Sequence, residues 1–98
     1  MTNVLLERRL KTLSRRLVEL RAEVSLADEQ LAHFNDDADE ARLRALVSET
    51  PLADIDHRHA ERHASAMARH RDDLAESIVR LELEQDELLD KLSARKRG

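Results

Sequence analysis

Cysteine, tryptophan and tyrosine are absent from the 98 residues, and phenylalanine, glycine and proline occur once each. Without cysteine there is no disulfide, no thiolate metal site and no thiol nucleophile. With one aromatic ring and so few turn formers, a sandwich, barrel or mixed α/β core cannot be built. Strands draw on β-branched and aromatic side chains, and the turns between them on glycine and proline. Uninterrupted apolar stretches such as Val4 to Leu6 are far too short for a membrane helix or a signal-peptide core. No membrane association and a cytoplasmic location are therefore expected.

What remains is helix-forming. Hydrophobic residues make up 41% of the chain and charged ones 39%, with leucine and alanine dominating the apolar set. That balance belongs to long amphipathic helices rather than to a disordered tail. Fourteen arginines against three lysines, with abundant alanine, point to a GC-rich bacterial genome. The net charge of −4 conceals alternating blocks: basic to Arg21, acidic to His57, basic to Arg71, acidic to Asp90, and basic at the end.

From Leu6 to Ala45, apolar or small residues recur in alternating steps of four and three, through Leu10, Leu13, Leu17, Leu20, Val24, Ala27, Leu31, Phe34, Ala38 and Ala41. A second series with the same stepping runs from Ala53 to Leu92. Each is a coiled-coil seam. Between them, Thr50 followed by Pro51 is a helix start, since threonine caps free amides and proline suits the first helical turn. The chain is thus expected to be all-α: a single antiparallel two-helix coiled-coil hairpin, with helix about 3–47, corner about 48–51 and helix about 51–95. An antiparallel pairing demands a constant index sum between facing seam residues, and a sum of 98 satisfies it, with Leu17 opposite Leu81 and Phe34 opposite Ala64. Polar Arg71 and Gln85 fall on the seam, where they either fix register or are tolerated at half-exposed sites. Flanking pairs Arg16 with Glu84, Asp37 with His63, Arg44 with Asp56 and Arg42 with Asp54 are favourable, while Arg9 opposite Lys91 is not. The segment "NDDADE" at 35–40 carries a competing capping signal that could break the first helix.

Several apolar residues lie off the seam. Leu43, Leu46, Val47, Leu52 and Ile55 cluster near the corner and form the expected partner-binding surface. The simplest cover is a second copy, giving a homodimer with a four-helix arrangement. A partner protein docked at the corner, or a folded-back segment at 38–47, are the alternatives.

"DIDHRHAERHASAMARH", residues 54–70, holds four of the five histidines. His59 and His63 have the i, i+4 spacing of helical metal ligands, and Asp37 is expected near His63. No full ligand set appears, so no cofactor or metal is expected, with His59, His63 and Asp37 the only candidates. His57 sits on the seam, where protonation would place charge in a packed position. No H-E-x-x-H, glycine-rich phosphate loop or Ser/His/Asp set occurs, which argues against an enzyme. Arg8, Arg9, Lys11, Arg15 and Arg16 meet Lys91, Arg95, Lys96 and Arg97 where the hairpin joins its termini. With no aromatic platform beside them, specific nucleic-acid binding is not expected.

An antiparallel coiled coil with Glu49, Asp54 and Asp56 at its corner resembles the probe of transcription factors that enter the RNA polymerase secondary channel, the Gre and DksA types. The likeness implies insertion of that acidic corner into the polymerase. These 98 residues hold no globular or zinc domain of the kind those families add, and "DIDHRHA" differs from the paired-aspartate tip of the DksA family. The chain, especially "ARLRALVSETPLADIDHRHAERHASAM" and "LEQDELLDKL", also resembles short uncharacterised coiled-coil proteins of actinobacterial type, which implies fold and origin but no activity. The expected function is a non-enzymatic scaffold or adaptor acting through protein–protein interaction and self-association. The alternative is a transcription regulator contacting RNA polymerase through the acidic corner, and a third reading is a weakly metal- or pH-responsive helical protein.

Overall fold

The computed structural model describes residues 2–97, the side chains of Thr2 and Arg97 lying outside the described set. Two long helices make up the chain, α1 (Thr2–Ser48) and α2 (Pro51–Arg97), with no strand among the described residues. α1 runs without interruption through 35–40, so the capping signal there does not act. Ala38 and Ala41 stay on the covered side of the helix while Asp36, Asp37, Asp39 and Glu40 remain exposed. Continued burial of the seam outweighs a local cap, and no segment at 38–47 folds back as a separate helix.

The corner is two residues long. Glu49 takes a left-handed conformation, φ 54°, and its N–H donates to the Ala45 carbonyl at 3.2 Å, closing α1 with an αL cap. Thr50 then caps α2: its Oγ1 accepts from Ala53 N–H at 3.2 Å, and its carbonyl accepts from Asp54 N–H at 3.2 Å. Pro51 opens the helix, where its missing N–H costs nothing. Left-handed geometry is strained for any residue with a Cβ. Glu49→Gly is therefore expected to raise stability by about 0.5–1 kcal/mol, read as a higher midpoint in thermal unfolding; a lower midpoint would show that the glutamate side chain stabilises the turn.

The chain packs as two units. In the terminal unit, built from α1 up to Glu23 and α2 from Leu74 onward, Leu13, Leu17 and Leu20 are only 1–2% exposed and Leu88 is buried. Leu81, Ile78 and Leu92 on α2 are half-buried. Gln85, a polar seam residue, donates its Nε2–H to Ser14 Oγ at 3.3 Å, so its amide is not stranded among leucines. Arg9 grips Glu84 with a two-pronged contact, Nε to Oε1 at 3.0 Å and Nη2 to Oε2 at 2.9 Å, and Arg21 reaches Glu82 at 3.3 Å. Arg16 does not pair with Glu84; it turns to Glu19 and Glu23 on its own helix, at 3.1 and 3.5 Å. A carboxylate one turn away needs less ordering of a long side chain than one on the opposite helix.

In the corner unit, residues 24–73, the seam is mostly alanine. Ala27, Ala41 and Ala64 are buried. Phe34, one of the larger seam residues there with Leu31 and Met67, packs its ring edge-on to His63, with centroids 5.9 Å apart and planes at 74°. Arg71 lies on the seam opposite Ala27, whose small side chain leaves room for its stem. Its Nε donates to Asp28 Oδ1 at 2.9 Å and its Nη1 approaches Asp72 at 3.5 Å. The hydrogen bond to Asp28, that residue's charge, and a lesser contribution from Asp72 hold the Arg71 guanidinium above its ordinary pKa. Both being surface groups, they orient the helices more than they stabilise them.

Within each unit, facing stretches of the two helices are oppositely charged. In the terminal unit, basic Arg8 to Arg16 face acidic Glu82 to Asp90; in the corner unit, acidic Asp28 to Glu40 face a stretch with Arg58, Arg62, Arg69 and Arg71. The blocks thereby favour antiparallel pairing over any arrangement that sets like against like.

Candidate interaction surfaces

At the corner, Leu43, Leu46, Val47 and Leu52 are largely exposed, Val47 most of all at 84%, and Ile55 is 40% exposed. Helical geometry divides them. Leu43, Leu46 and Val47 occupy one turn of α1 on the side turned away from its seam of Ala38, Ala41 and Ala45. Leu52 and Ile55 stand on the side of α2 turned away from Ala53 and His57. Since each set points away from the opposite helix, the five residues form two faces rather than one patch.

The acidic residues are at the corner itself: Glu49 in the turn, Asp54 in the first turn of α2, and Asp56 two residues on, all exposed. Asp54 sits where the unpaired N–H groups of α2 favour negative charge. Its carboxylate therefore has a structural use besides any role in binding.

The histidines are dispersed. His57, half-buried, places Nε2 2.8 Å from Glu61 Oε1, one turn along α2. Its imidazole is thus led off the seam toward a carboxylate at its edge, rather than into the alanines. His63 turns to Phe34 rather than pairing with Asp37, because the aromatic edge is the larger apolar surface within reach. Among the described residues, no three His, Cys, Asp or Glu side chains converge as a metal site would require, and His59, His63 and Asp37 are not brought together. Arg44 approaches Glu40 at 3.9 Å on its own helix instead of Asp56.

A groove of about 940 Å³ lies along the histidine side of the corner unit. Apolar Phe34, Ala66 and Met67 line it together with Arg62, Arg69, His63 and His70. Sequence reading by seam alone passes over it. Its signal was nevertheless present, since Arg62 and Arg69, and His63 and His70, recur at seven-residue spacing beside the chain's only aromatic ring. The combination is an apolar floor with a border of arginines and histidines that also carries Glu61. A second, polar crevice is lined by Asn35 and Asp39 together with Glu61 and Ser65, which also border the groove.

At the far end of α1 and α2, Arg8, Lys11, Arg15, Lys91, Arg95 and Lys96 are exposed, whereas Arg9 and Arg16 are taken up by carboxylates. No aromatic residue accompanies them. No helix among the described residues is long and apolar enough to cross a membrane. Comparison with protein-family models, curated proteins and solved structures returned no match.

Proposed function

We propose that this chain is a non-enzymatic helical scaffold or adaptor, dimerising into a four-helix arrangement and docking a protein at its corner in a bacterial cytoplasm. The observation that carries the reading is the exposed apolar side chains around the corner, Leu43, Leu46, Val47 and Leu52, on a chain whose buried seam is otherwise narrow. Clustered exposed leucines mark surfaces that are covered in use, unlike scattered ones. Two faces rather than one suit an adaptor that holds a copy of itself on one and another protein on the other. The open surfaces of two packed helices give carboxylates and histidines no enclosed site in which to tune acid–base chemistry.

The exposed placement of Glu49, Asp54 and Asp56 favours one contrasting reading, a regulator that inserts an acidic tip into RNA polymerase. Affinity capture from native cells separates the two. Leu46→Asp and Ile55→Asp are expected to abolish partner capture, while Asp54→Ala with Asp56→Ala leaves it intact. The opposite pattern, with polymerase subunits lost only in the aspartate variant, would replace the scaffold reading by the probe reading.

A further inference from the structure

Charges that the hairpin leaves unpaired lie together on one side of the corner unit. Asp39 and Arg42 on α1, and Asp54 and Arg58 on α2, are exposed and form no ion pair among the described residues. The Arg42–Asp54 pair expected across the hairpin is therefore not made within one chain. At 100° per residue, Arg42 and Asp54 stand about 70° round their helices from the middle of the seam, and Asp39 and Arg58 about 130°. These are flanking positions, which a neighbour packed against the side of the hairpin reaches. The polar crevice shows that the two helices share this side, since Asn35 and Asp39 line it with Glu61 and Ser65 across the seam residues Ala38 and Ala64. Asn35 and Glu61 stand seven residues from Arg42 and Asp54, and Ser65 seven from Arg58, so all of them fall on the same side of the unit.

We infer that a second copy of this chain packs on this side of the corner unit, about a two-fold axis parallel to the helices, so that α1 of each copy lies along α2 of the other. Such a rotation keeps every residue at its height, so residues are level between copies, as within one, where their numbers sum to within two of 98. No adjustable shift enters. Asp39 then meets Arg58 of the second copy, and Arg42 meets Asp54 of the second copy. Leu46, 64% exposed, meets Pro51, and the small Ala32 meets Ser65. Asn35 falls beside Glu61, Asp28 beside Ala68 and Ser25 beside Asp72, so like charges are nowhere set together. Leu52 and Ile55 lie on other sides of α2 and stay uncovered, which leaves that face for another protein.

Charge selects both the side and the axis. On the opposite side of the unit Arg44 is held by Glu40 and His63 by Phe34, so Asp37 and Asp56 have no free arginine or lysine beside them. An axis perpendicular to the helices would lay α1 on α1 and α2 on α2, and neither Asp39 with Arg58 nor Leu46 with Pro51 could then meet. The chosen axis makes the contact isologous, with every pair occurring twice, and it closes at two copies. A second copy is favoured over an unrelated helix because this side complements its own image: two opposite-charge pairs and one apolar pair fall level in the register the hairpin already has.

The inference rests on the self-association reading and specifies its face, and sedimentation equilibrium on the full chain tests both. Wild type is expected as a dimer. Asp39→Arg and Arg58→Asp should each weaken it by about tenfold in Kd, since each exposed pair occurs twice and is converted from attraction to repulsion. The double variant Asp39→Arg/Arg58→Asp should recover the wild-type value to within about threefold, and Ile55→Asp, on the uncovered face, should leave it unchanged. Far-UV circular dichroism, unchanged for such exposed positions, shows that the helices persist. The chain has no cysteine, so a mixture of Ala32→Cys and Ser65→Cys proteins should form a disulfide joining the two different variants, while neither variant alone should crosslink. A monomeric wild type would overturn the self-association reading together with this inference. A dimer indifferent to both charge reversals, a double variant as weak as the single ones, or Ala32→Cys crosslinking to itself would overturn this face and leave self-association standing.

Discussion

Leu17→Ala is expected to lower the unfolding free energy by about 3 kcal/mol, and the midpoint of thermal unfolding by roughly 12 °C or more for a chain of this size. Leu17 is 1% exposed and lies between Leu13 and Leu20, which are equally covered. Removing three carbons there forfeits their transfer free energy and leaves a cavity that two continuous helices cannot collapse around. Leu5, on the same helix but 64% exposed, is the internal comparison: Leu5→Ala should fall within about 0.5 kcal/mol of wild type. Both variants are measured at one protein concentration, because any self-association stabilises by mass action. Equal effects from the two substitutions would mean that the seam has been drawn on the wrong side of α1.

The corner unit is expected to exchange its backbone amides faster than the terminal unit, by roughly 30-fold or more, a difference of about 2 kcal/mol in local opening. Its seam buries Ala27, Ala41 and Ala64, where the terminal unit buries Leu13, Leu17, Leu20 and Leu88. Alanine removes much less apolar surface from water per position, and its slightly better helix propensity offsets only part of that difference. Hydrogen exchange followed by mass spectrometry at low concentration reads this directly, comparing residues 27–45 and 53–64 with residues 10–20 and 78–88. Uniform protection would contradict the division into a leucine-sealed and an alanine-sealed part. Raising the concentration should then slow exchange in the corner unit selectively, because self-association is proposed through the exposed apolar residues of that unit.

The seam was legible in the sequence because its signal is periodic and repeated. Every position on the two four–three series, from Leu6 to Ala45 and from Ala53 to Leu92, is buried or half-buried. The corner was legible from Thr50 and Pro51, but the left-handed Glu49 was not. Such a turn usually announces itself by glycine, and here a glutamate bears the strain. Ion pairs were the least legible feature. A flexible arginine samples carboxylates a turn away in either direction, so Arg9 took the Glu84 assigned to Arg16, and Arg16 and Arg44 found partners on their own helix. Half-buried Ala68 and Ala75, which widen the covered side of α2 beyond the seam, escape a strict two-position repeat for the same kind of reason: small residues on the flank are covered by their neighbours without being part of the period. The interaction surface was legible as a set of residues but not as a geometry. Leu43, Leu46, Val47, Leu52 and Ile55 are adjacent in sequence, and only the direction each helix turns its seam assigns them to two faces.

That chains of this protein recognise one another is the claim on which the functional reading depends, and the mass of the chain in solution tests it most directly. Sedimentation equilibrium across the micromolar range at moderate salt should return twice the mass of one chain, falling to a single chain on dilution. A single-chain mass at every concentration would contradict the account, leaving the exposed corner leucines to a partner of another kind.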